Sequence, residues 1–191
     1  MFFQPLQTLL GRWSLALTAC MGAVVMGLAS PHVWHFEGAV PITPQSLVIV
    51  LWAVLWGWQV GLLSVLLYLV AGGMGLPVFA GGASGWIHFT GSTAGFLWAF
   101  LIAALVVGAL AERVRRFRYG SAAMLMLLGH AILLALGLAW QRGIVPAEAS
   151  WTDPVMALMP AVLVKSALGT LVVVIVGRLL DRHSLSRDGA D

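Results

Sequence analysis

Five runs of almost unbroken apolar residues organise this chain, near positions 13–29, 46–71, 93–111, 121–140 and 155–180. A hydrocarbon core about 30 Å thick is crossed by about 20 apolar residues in a helix, so these runs read as membrane spans. The run at 46–71 is long enough to be one helix or two. Its count follows from the basic residues. Arg113, Arg115, Arg116 and Arg118 form one short basic loop, while Arg12, Arg178, Arg182 and Arg187 flank the outer ends of the set. Such clusters mark the cytoplasmic side. Keeping Arg12 and the 113–118 loop on one side requires an even number of crossings between them, so 46–71 contributes two, with a break between Gly57 and Gly61. Two helices of about 15 residues are short for a bilayer, a mismatch met by local thinning or by burial within the bundle.

The predicted fold is an all-α integral membrane bundle forming one domain over 1–191, with both termini cytoplasmic. Its six helices cover 13–29, 44–57, 59–72, 93–111, 121–140 and 157–180. The outer loops at 30–45, 72–92 and 141–153 then contain one basic residue among them, Arg142. Trp13, Trp34, Trp56, Trp58, Trp140 and Trp151 fall near span ends, as an interfacial belt does.

Composition agrees with that picture and closes others. The chain of 191 residues is 61% hydrophobic and 9% charged, which excludes a soluble globular domain and leaves no length for a soluble catalytic one. Its net charge of +3 sits at span ends and not in a stripe interleaved with aromatics, so nucleic acid is not an expected partner. The apolar run after Arg12 is long enough to span and is followed by further membrane segments, so it reads as a first helix and not as a secretory signal. Cys20, inside that run, reads as a small buried hydrophobe.

Two features carry candidate chemistry. Glycines 72, 73, 75, 81, 82, 85, 91 and 95 crowd the loop assigned to the outer face, where backbone freedom suits close approach to a ligand. Lys165, the sole lysine, stands in the apolar run PAVLVKSALGTLVVVIVG. A charge there is costly and points to a functional site. The acidic residues Glu37, Glu112, Glu148, Asp153, Asp181, Asp188 and Asp191 all lie in loops, termini or span ends, so a bound anion is the candidate counter-charge. With the last helix opening at Asp153–Pro154 or at Pro160, Lys165 lies about 8 to 17 Å below the outer edge. His32, His35 and Glu37 lack the pattern of a metal centre, and His88 and His130 are isolated. There is no GxxxxGK[ST] motif and no nucleophile-and-base cluster inside the spans, which argues against a membrane-embedded enzyme.

Thr43 and Gln45 in GAVPITPQ, Tyr68, GLPVFAGG at 75–82, GSTAGF at 91–96 and Lys165 together resemble the BioY family, the substrate-binding (S) components of biotin energy-coupling-factor (ECF) transporters. The resemblance is densest over 38–112. It implies a six-helix bundle in the bacterial cytoplasmic membrane that captures biotin from outside. Delivery inward would need a transmembrane coupling subunit and two ATPase subunits, with no cofactor of its own. The ligand residues it implies are Phe79, Gly81, Gly82, Ser92, Thr93, Phe96 and Lys165, with Thr43 and Gln45 beside them. Ala19, Ala23 and Gly27, a small-residue stripe on the first helix, would dock the coupling subunit. This chain departs from the family's usual GPTGGY at Ser92, Ala94 and Phe96, and has Val162 where relatives carry an aspartate. Weaker polar discrimination follows, and a different vitamin or small anion is the alternative ligand.

Overall fold

The computed structural model describes residues 13–34, 43–114, 116–144 and 152–188, with side chains up to Gly143 in the fifth helix and from Val155 to Leu180 in the sixth. Arg12, His35, Glu37, Arg115, Glu148, Trp151 and Asp191, and the side chains of Asp153, Asp181, Arg182, Arg187 and Asp188, lie outside the described residues. Among those residues the chain forms six α-helices: α1 (Ser14–Ala29), α2 (Gln45–Trp56), α3 (Trp58–Gly73), α4 (Ala94–Ala111), α5 (Tyr119–Ile144) and α6 (Thr152–Asp188). Two short 3₁₀ turns, Ala80–Gly82 and Trp86–Phe89, shape the loop between α3 and α4. The segments Ala94–Ala111, Tyr119–Gly143 and Val155–Leu180 are long and apolar enough to cross a membrane, and the other three helices are apolar but shorter. The protein is a multi-pass membrane protein.

The run at 46–71 divides at Gly57, whose φ of 84° and ψ of 178° no L-residue holds comfortably. The 12 residues of α2 rise about 18 Å, well short of a bilayer. Their length is tolerated because α2 is enclosed: Ile49, Val50 and Ala53 are fully buried among the other helices. At the break, Glu112 Oε1 accepts a hydrogen bond from the Trp58 N–H at 3.3 Å, placing a carboxylate on the unsatisfied N-terminus of α3.

Helix α4 is central and packs on α2, α3 and α5, presenting the fully buried Ala99, Ala103, Ala104 and Val107 to them. Helix α6 packs on α5 and α2, and α1 packs chiefly on α3. Both ends of the last helix and the end of the fifth differ from the sequence expectation, α6 running to Asp188 where 180 was expected. Helix α5 continues past 140 to Ile144, and α6 begins at Thr152 and runs through Pro160 where 157 was the expected start. Lys165 is therefore thirteen residues into α6, about 20 Å along its axis from Thr152.

Candidate functional site

The loop from 74 to 93 is built on its aromatic residues. Phe79 is 4% exposed and meets Tyr68, His88 and Phe89 edge-on, with ring centroids 5.7, 5.8 and 5.9 Å apart. Such edge-to-face clusters gain both apolar burial and quadrupole attraction. Gly72 lies directly beneath the Phe79 ring, and any side chain there would displace it. The turn after Phe79 closes through two backbone bonds, Phe79 N–H to the Ala83 carbonyl and Gly82 N–H to the Phe79 carbonyl, both at 3.0 Å. Gly81 and Gly82 hold φ of 71° and 76° to make that turn.

A cavity of about 490 Å³ opens beneath this loop, within the range of about 300–1,000 Å³ usual for small-molecule sites. Five parts of the chain wall it: the start of α2 with Thr43 before it, the loop, the start of α4, the middle of α5, and α6. Phe96, Leu97, Phe100, Leu133, Leu134, Leu158 and Val162 supply its apolar surface. Its polar groups are few. Lys165 Nζ donates to Ser46 Oγ at 3.0 Å, and among the described residues no carboxylate pairs with it.

Gln45 is oriented by a relay. The Tyr68 hydroxyl donates to the Val78 carbonyl at 3.2 Å, since a carbonyl only accepts, so it must accept from Gln45 Nε2 at 2.6 Å. That leaves Gln45 Oε1 as an uncommitted acceptor on a residue of the cavity wall.

Of the ligand residues expected from the sequence, Thr43, Gln45, Phe79, Thr93, Phe96 and Lys165 line this cavity. Gly81, Gly82 and Ser92 do not. The two glycines carry the turn that seats Phe79, and Ser92 is exposed. Phe96, half-buried, spends part of its ring against Gly137 of α5. Just outside the cavity Trp140 Nε1 donates to the Gly91 carbonyl at 3.1 Å, fastening α5 to the start of GSTAGF. Sequence reasoning missed Ser46, His88 and His130, all of which line the cavity. Nothing in the sequence singles out Ser46, but His130 is an ionisable group in an apolar helix, the same signal that drew attention to Lys165.

The stripe on α1 requires a correction. Ala19 is fully buried, Ala23 packs against the core, and a Cβ at Gly27 would stand 3.2 Å from Val78, so these small residues serve contacts within the chain. The outward side of α1 carries Ala16, Leu17, Cys20, Met21, Val24 and Leu28. Cys20, expected to be buried, is exposed. Trp13 and Trp34 are also exposed, His32 is exposed, and no group of metal-ligating side chains occurs among the described residues.

A model of the BioY family matches residues 6–184. The chain belongs to the BioY family. It is 41% identical over 128 residues to the biotin transporter BioY of Rhodobacter capsulatus, covering 65% of this chain and 67% of the relative. It is 33% identical over 130 residues to the biotin transporter BioY2 of Lactococcus lactis, covering 68% and 70%. Among solved structures, the S-component for biotin from an ECF-type ABC transporter superposes with a TM-score of 0.70 at 20% identity, covering 85% of this chain and 89% of that one. At that identity the likeness speaks for the fold.

Proposed function

We propose that this BioY-family chain is the substrate-binding component of an ECF-type transporter, and that its cavity captures biotin from the outer face of the bacterial cytoplasmic membrane. The observation that carries this reading is the meeting of Lys165 with the GLPVFAGG loop in one cavity. Biotin combines a carboxylate, a ureido ring and an apolar body of tail and thioether ring. The cavity answers with one ammonium, the imidazoles of His88 and His130, a small set of hydroxyl and amide groups, and broad aliphatic and aromatic walls. Its chemistry is binding and release, with no bond made or broken.

Lacking a phosphate-binding motif, the chain draws energy from partners: a transmembrane coupling subunit and two ATPase subunits. The outward face of α1, with the small residues Ala16 and Cys20 among larger apolar ones, is the face offered for docking, in place of the stripe that contains the buried Ala19. Equilibrium binding of labelled biotin to the purified chain tests the ligand. Saturable binding well below millimolar, resistant to excess unrelated small anions, is expected. Affinity no better than millimolar, or displacement by another vitamin at lower concentration, would overturn the assignment in favour of that ligand.

A further inference from the structure

His130 stands on α5 in the stretch LGHAILL, where it is the sole polar side chain. It is 2% exposed and lines the cavity. Its Nδ1 lies 2.9 Å from the Met126 carbonyl oxygen and 3.2 Å from Ser166 Oγ on α6. A carbonyl oxygen only accepts, so Nδ1 carries the ring proton and the Ser166 hydroxyl shares it from the side. In the neutral imidazole this leaves Nε2 as a bare acceptor. Nε2 is buried and has no hydrogen-bond partner among the described residues.

Buried polar atoms are nearly always satisfied, and each exception calls for a cause. Here the chain orients one nitrogen through two neighbours and leaves the other for a donor from elsewhere. On the α6 wall no donor reaches it: Leu158, Ala161 and Val162 are apolar, and the Lys165 ammonium donates to Ser46 Oγ.

We propose that His130 reads the ligand, its Nε2 accepting a hydrogen bond from an N–H group of the bound molecule. The inference rests on biotin as that molecule, whose N–H groups are the two of the ureido ring. It therefore also sets an orientation, with the ureido ring against the junction of α5 and α6.

The test is equilibrium binding to the purified full chain, using biotin and its two mono-N-methylated ureido analogues. His130→Asn keeps a donor for the Met126 carbonyl and removes the atom at Nε2, whereas His130→Gln retains an acceptor at that distance. Loss of one such bond is worth about tenfold in affinity, so His130→Asn should bind biotin about tenfold more weakly. It should also lose about tenfold of the preference for biotin over the affected analogue, and His130→Gln should recover most of both. The preference matters because a merely structural role would weaken all three ligands alike. His130→Asn with wild-type affinity and undiminished preference overturns the inference while leaving biotin as the ligand. A wild-type chain that binds no biotin overturns the proposed function, and this inference with it. Should the Asn variant not fold, a biotin-bound structure decides: no ligand nitrogen within about 3.5 Å of Nε2 overturns it.

Discussion

A lysine ammonium carries three N–H donors, and at Lys165 the chain meets one of them with the Ser46 hydroxyl. The others are available to a ligand oxygen, and hydrogen bonds to charged groups contribute about 1.5–3 kcal/mol each. Lys165→Met is expected to weaken biotin binding by about 10- to 100-fold. The unliganded variant should melt at the same temperature or higher, because a desolvated cation without a carboxylate is replaced by an apolar chain of similar length. Ser46→Ala should cost binding less, about threefold to tenfold, since it orients the ammonium without replacing it. Titration with labelled biotin and a thermal melt in detergent measure both, and unchanged affinity in Lys165→Met removes the lysine from the site. Lys165 was legible in the sequence because a charge within an apolar run is conspicuous. Ser46 was not, because a hydroxyl one residue into a helix acquires meaning only when α6 packs on α2.

At the scale of elements, spacing told less than neighbours do. Ala19, Ala23 and Gly27 recur every four residues and so share a face, but which face meets the bundle depends on the packing of α1 against α3. Gly22 shows the consequence: a Cβ there would run into the Trp52 ring and the Ser64 hydroxyl, so at this level α1 lies tight against the bundle. Ala19→Trp is therefore expected to overpack the bundle, losing about 1–3 kcal/mol of stability and weakening ligand binding along with transport. Ala16→Trp, on the outward face, should leave binding and the melt intact while abolishing uptake in cells that supply the coupling proteins. Reversal of the two outcomes would return docking to the Ala19 face. The motif loop divides in the same way. Its aromatic residue Phe79 lines the cavity, whereas the adjoining Gly81 and Gly82 make the turn that holds it. A motif names the residues a loop cannot do without and is silent on which of them touch the ligand.

For the whole molecule, helix number was legible because charge parity and a glycine break pointed to the same division of 46–71, which the structure makes at Gly57. Absolute orientation is a separate matter, resting on the arginines of the short connection after α4. The glycine-rich loop precedes α4 and the basic connection follows it, so a single crossing helix sets them on opposite sides of the membrane. If the cavity loads from outside, its loop must be the outer one, and Arg113, Arg116 and Arg118 must be cytoplasmic. In a Cys20→Ala background, Met74→Cys, at 76% exposure the most accessible large apolar residue of that loop, should react with a membrane-impermeant maleimide in intact cells. Arg116→Cys, exposed at the other end, should react only after permeabilisation. The opposite pattern would invert the topology and leave the cavity opening toward the cytoplasm, a geometry incompatible with capture from outside whatever the affinity for biotin.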